Sequence, residues 1–113
     1  MITLYHNPRC SKSRQCDIFL SELKQDVRVI NYMKEPFTED SLAALLKKLS
    51  IKPIELVRKN EKEWKEFYKG KDLTDDEIIQ AMVKHPKLIQ RPIVVNGDKA
   101  IICRPLEEIN KVL

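Results

Sequence analysis

Residues 6 to 14, HNPRCSKSR, set one thiol, Cys10, among the cations Arg9, Lys12 and Arg14, with His6 four residues upstream. A free cysteine ionises near a pKa of roughly 8.5, and neighbouring positive charge lowers it. The thiolate is the reactive form, so this pattern suits a nucleophile. A metal ligand, half of a redox pair and a packed core residue are the competing readings. Several absences narrow the choice. The resolving position of a Cys-x-x-Cys pair is Ser13, so an internal disulfide with that partner is impossible. A phosphatase loop of the Cys-x5-Arg kind needs Arg at 16, where this chain has Cys16. A zinc site needs several Cys or His at close spacing, and the two histidines are far apart, so no metal is expected.

The other thiols read as packing residues. Cys16 shares a helical stripe with Phe19, Leu20 and Leu23, and Cys103 ends the apolar run Ala100-Ile101-Ile102. Three arginines complete the chemical inventory. Arg91 and Arg104 each precede a proline and bracket a predicted hairpin, and Arg58 follows Ile54-Glu55-Leu56-Val57. Guanidinium groups hold tetrahedral oxyanions through planar, often bidentate hydrogen bonds, so several beside a thiolate would form an anion site. Their convergence is not something the sequence shows.

The elements that must position these groups follow from periodicity. Ile2 to Tyr5 reads as a strand, Ser11 onward as a helix, and Val27 to Ile30 as a second strand, the length of a βαβ unit. Cys10 therefore falls where the strand hands over to the helix, beside free N–H groups and the positive end of the dipole. Thr38-Glu39-Asp40 starts a helix with the stripe Leu42, Leu45, Leu46, Leu49, and Pro53 opens a short one running to about Val57. A further helix is expected over 61–69. Thr74 to Glu77 matches a capping box ahead of Ile78, Ile79, Met82 and Val83, and His85-Pro86 stops that helix. Ile93-Val94-Val95 and Ala100-Ile101-Ile102 flank Asn96-Gly97, the preferred pair for a type I′ hairpin turn. A last short helix is expected from Leu106 to Val112.

The chain of 113 residues is expected to form one domain. No run approaches the roughly 18 apolar residues that cross a bilayer, and the N-terminus lacks the pattern of a secretory signal, so a cytoplasmic protein is expected. Its formal charge of +4 suits a small anionic substrate, while the interleaved Lys and Glu of KNEKEWKE (59–66) read as a solvated helix face, not a nucleic-acid stripe.

The order βαβ, helices, ββα resembles the thioredoxin fold with a helical insertion over about 38–86. That analogy implies a cis peptide at Arg91-Pro92. HNPRC, LVRKN (56–60), HPKLIQRPIVV (85–95) and ICRP (102–105) together resemble the glutaredoxin-coupled arsenate reductase family, in order and along the whole chain. The resemblance implies Cys10 as nucleophile, Arg58, Arg91 and Arg104 as arsenate-binding residues, and His6 as a histidine that helps lower the thiol pKa. Ser13, Arg14 and Pro92 support the site. It also implies glutathione as co-substrate, glutaredoxin as protein partner and no bound cofactor; a monomer without nucleic-acid or membrane partners is expected. Well-characterised relatives have Gly-Thr after the cysteine, where this chain has Ser11-Lys12. Two other readings compete: an Spx-type regulator binding RNA polymerase, and a general glutathione-dependent thiol oxidoreductase. The best-known Spx-type proteins carry a Cys-x-x-Cys that Ser13 rules out, and they lack the arginine present here as Arg104.

Overall fold

A computed structural model describes residues 2–23 and 25–113; Met1 and Lys24 lie outside the described residues. Strand β1 (Ile2–His6), helix α1 (Ser11–Ser21) and strand β2 (Val27–Asn31) come first. Helices α2 (Glu39–Leu49), α3 (Lys62–Phe67) and α4 (Asp75–Lys84) follow, and strands β3 (Ile93–Asn96) and β4 (Lys99–Ile102) complete the sheet. The segments at Pro53–Leu56, Pro86–Leu88 and Leu106–Lys111 are 3-10 turns, so the expected short helices at 53–57 and 106–112 take the tighter form.

The chain forms two compact units: residues up to Glu35 together with Arg91–Leu113, and Pro36–Gln90 between them. The first holds a four-stranded sheet ordered β2-β1-β3-β4. β1 runs parallel to β2 and antiparallel to β3, and β3 antiparallel to β4. Because side chains alternate across a strand, Ile2 and Leu4 share one face. They pack with Val94, with Cys16 and Leu20 of α1, and with Cys103, Ile109 and Val112. Burying each large aliphatic side chain contributes about 1.5–3 kcal/mol, which ties α1 and the C-terminal turn to the same sheet face.

The hairpin turn is not the expected one. Asn96 pairs with Lys99, so the two-residue loop is Gly97-Asp98. Gly97 has φ +63, while Asp98 does not have positive φ. These signs belong to a type II′ turn, with glycine first, rather than to type I′. Asn96 stays in the strand because it also pairs with Ile2, and its side-chain amide donates to the Val112 carbonyl at 2.7 Å.

The second unit is helical. Thr38 and Ser41 exchange backbone-to-side-chain hydrogen bonds at the start of α2, and Thr74 and Glu77 do so at α4. Leu42, Leu45, Leu46 and Leu49 are buried along α2, and Ile78, Ile79 and Met82 along α4, which packs on α2 and on the 3-10 turns at Pro53–Leu56 and Pro86–Leu88. The segment around Arg58 is pinned by backbone: Arg58 N–H donates to the Leu88 carbonyl at 2.7 Å, Gln90 N–H to Leu56 at 2.9 Å, and Val57 bridges Ile89. No helix among the described residues is long and apolar enough to cross a membrane.

Candidate active site

Cys10 is the N-cap of α1, with extended backbone (φ −96, ψ 125) and no capping oxygen. No acidic residue occupies the first turn. The loop before it is held from within. Cys10 N–H donates to the Asn7 carbonyl at 3.0 Å, and Arg9 N–H to the Asn7 side-chain oxygen at 3.1 Å. Arg14 Nη1 donates to the Pro8 carbonyl at 3.0 Å, so this cation serves as a clamp across the loop.

Ser13 is fully buried and closes the structure from below. Its hydroxyl accepts the Asn7 N–H at 2.9 Å and lies 2.9 Å from Nδ1 of the buried His6. His6 thus meets the loop through Ser13. A serine here does more than omit a second thiol: it ties the end of β1 to the first turn of α1. The sequence carried one signal for Asn7 that went unused, since Asn-Pro marks a turn whose side chain bonds its own backbone.

The thiol of Cys10 is half-exposed and its pKa lies below the ordinary value. Burial alone would raise it; hydrogen bonding from Ser13 N–H, the hydrogen bond and charge of Arg91, and Lys12 N–H together outweigh burial. A helix start without an acid, turned toward a sulfur, stabilises the thiolate. Arg91 precedes β3. The pairing of Tyr5 with Ile93 carries Arg91-Pro92, which is cis, to the His6 end of β1. Cys103 N–H donates to the Pro92 carbonyl at 2.9 Å, and Ile93 pairs with Ile102. Arg104, which is exposed, therefore leaves the sheet at the same end as Arg91. The Arg91 Nε–H is buried and has no hydrogen-bond acceptor among the described residues.

Arg58 belongs to the helical unit, where its Nη1 pairs with Glu61 Oε1 at 2.5 Å. Cys16 and Cys103 are both buried and are neighbours in the core, a contact across α1 and the end of β4 that neither stretch announced. The Cys103 thiol is pushed far up, first by hydrogen bonding with Cys16 and then by burial. A thiol shifted this way, as Cys103 is, stays protonated and inert. Among the described residues no three Cys, His, Asp or Glu side chains cluster as a metal site.

A mixed sheet in this order, a helix starting on a cysteine and an arginine at the head of the third strand define a thioredoxin-like domain. The chain belongs to the ArsC family, whose model matches residues 5–112. Over 99% of its length it is 40% identical to the uncharacterized protein YfgD of Escherichia coli K12, covering 96% of that protein. It is 37% identical to the arsenate reductase of the same organism, again over 99% of this chain and over 80% of the relative. The solved structure of an arsenate reductase from Vibrio cholerae superposes with a TM-score of 0.93 at 36% identity, over 99% of this chain and 97% of that one.

Proposed function

We propose that this protein is a thiol-dependent arsenate reductase in which Cys10 is the nucleophile. The observation that carries the reading is the pairing of Cys10 with Arg91. The guanidinium acts on the sulfur through hydrogen bonding and charge, and its buried Nε–H lacks an acceptor that an oxyanion would supply. A buried donor without a partner costs about 1–3 kcal/mol, a cost that a bound anion relieves.

In the first step the Cys10 thiolate attacks arsenic, an As–S bond forms, and one arsenate oxygen leaves as water after protonation. Arg91 and Arg104 hold the remaining negative oxygens, and the family resemblance implies Arg58 as a third arsenate-binding residue. A glutathione thiolate then attacks the Cys10 sulfur. The S–S bond forms, the As–S bond breaks, and its electron pair departs with arsenic, which falls from the +5 to the +3 state. Glutaredoxin reduces the resulting mixed disulfide with a second glutathione. With Ser13 at the resolving position, the second thiol must come from outside. Electrostatic stabilisation of the charge that builds on the oxyanion is the main contribution of the arginines.

The test is arsenate reduction with glutathione and glutaredoxin. Wild type should turn over and Cys10→Ser should not. Arg91→Lys should lose about tenfold or more in kcat/KM, because a point charge cannot copy the guanidinium fork. No turnover by wild type would overturn the arsenate assignment. Capture by the RNA polymerase α subunit in its place would favour a regulator, and turnover of a glutathionylated peptide a general oxidoreductase.

A further inference from the structure

Asn7 is a buried polar residue at the base of an exposed turn: it is 7% exposed, whereas Pro8 and Arg9 lie in solvent. Its carbonyl accepts Cys10 N–H at 3.0 Å, its side-chain Oδ1 accepts Arg9 N–H at 3.1 Å, and its own N–H donates to the buried Ser13 hydroxyl at 2.9 Å. Pro8 has no N–H, so these bonds take up every backbone donor from 7 to 10. The loop thus holds itself, and the donors left for the sulfur belong to α1, where the N–H groups of Lys12 and Ser13 act on Cys10. Those are the two places from which an N-cap acceptor ordinarily takes its hydrogen bond. The sulfur reaches them only while Cys10 keeps its extended backbone at the head of the helix.

The turn ahead of Cys10 sets the direction in which the chain enters α1. Two of the three bonds that define it are main-chain on the Asn7 side and survive any substitution there. The third is not: the Asn7 carboxamide imitates a peptide carbonyl and closes a turn on the N–H two residues ahead. We propose that Asn7 is a positioning residue for the nucleophile: its Oδ1 fixes the 7–10 turn so that Cys10 enters α1 with its sulfur over the open helix start. The proposal rests on Cys10 being the nucleophile, not on arsenate being its substrate. Arg9 is exposed, so water meets its N–H when Oδ1 is removed. Loss of the side chain therefore loosens the turn more than it destabilises the fold, which lets the two effects be told apart.

The test is the pH profile of Cys10 alkylation by iodoacetamide, a neutral reagent, with Cys10→Ser as the background. Asn7→Ala should move the half-maximal pH up by about half a unit to one unit, so that alkylation near neutral pH falls about three- to tenfold. The plateau in alkali should stay within about twofold, since the thiolate once formed is the same nucleophile. Asn7→Gln should match Asn7→Ala, because the longer amide overshoots the Arg9 N–H. Asn7→Ser should recover part of the shift, because a hydroxyl closes the same turn more weakly. The charged and titratable residues around the sulfur, Arg91, Arg9, Lys12, Arg14 and His6, are unchanged in all three variants. Thr38→Ala is the control: it removes a helix cap in the other unit and should lower the unfolding midpoint without moving the profile. A profile that Asn7→Ala leaves in place, or that Thr38→Ala moves as far, would sink the proposal, and so would a serine variant no better than glutamine. If Asn7→Ala does not fold, the serine and glutamine variants decide the matter between them. A shifted profile without arsenate turnover by wild type would leave Asn7 in this role while the arsenate reading falls; turnover with an unmoved profile would do the reverse.

Discussion

Three helices of this protein begin in different ways. α2 and α4 start on Thr38 and Thr74, each closing a capping box, with Glu39 and Asp40 or Asp75, Asp76 and Glu77 in the first turn. The Glu77 carboxyl is held below the usual range by the backbone and side chain of Thr74. These helices satisfy their own free N–H groups and neutralise their own dipoles. α1 carries neither device: its N-cap is Cys10 in place of a threonine, without a capping box, and no acid follows. The stabilisation that a cap and first-turn acids would add, about 1 kcal/mol for a good cap, is forgone. In return the helix start stays positive for a thiolate and an anion. The difference separates helix starts that neutralise their own dipole from one that leaves its positive end open beside a thiol.

Making α1 resemble the other two should break its chemistry. Ser11→Asp places an acid in the first turn, and alkylation of Cys10 at neutral pH should fall about tenfold as its pKa rises by about one unit. Thermal stability should hold or rise slightly, since an acid suits the dipole. An unchanged alkylation rate would show that the open helix start does not control the thiol. In wild type the sign of the shift fixes the pH profile. A lowered folded-state pKa means that Cys10 alkylation reaches half its maximum below the pH of a free thiol, and that the thiolate favours the fold above the ordinary thiol pKa. That contribution fades as pH falls through the folded value. Measured by denaturant unfolding, the stability gap between wild type and Cys10→Ala should therefore be wider in mild alkali than near pH 6.

Cys16, buried against Cys103, supplies the opposite case within the same helix. Cys16→Ala should cost about 1–2 kcal/mol by leaving a small cavity beside Cys103, while Cys10 alkylation stays within about twofold. A large loss of Cys10 reactivity in that variant would refute the packing role. The smallest effect should come from the structural helix starts. Thr74→Ala should lower stability by about 1 kcal/mol and leave Cys10 untouched. A drop in alkylation there would mean that the helical unit governs the thiol.

Much of this was legible locally. The strand-to-helix handover at Cys10, the stripe from Leu42 to Leu49 and the box from Thr74 to Glu77 depend on neighbours a few residues apart, and sequence spacing reports such neighbours directly. The hairpin was legible but its turn was not. Asn-Gly is a local preference, whereas the register is set by Asn96 pairing with Ile2 and reaching Val112, and a one-residue shift would turn every side chain of the strand to the wrong face.

The sequence by itself determined that Cys10 lies at a helix start among cations and lacks a second thiol at position 13. Only the tertiary structure decided which groups act on it. Arg91 reaches the sulfur because β3 pairs with β1, and Ser13 is buried because His6 and Asn7 close over it. Cys16 and Cys103 meet because one sheet face gathers α1 and the end of β4. These contacts join residues far apart along the chain, so no periodicity encodes them. They exist because burying the apolar face of the sheet outweighs the entropy of ordering the segments that carry them.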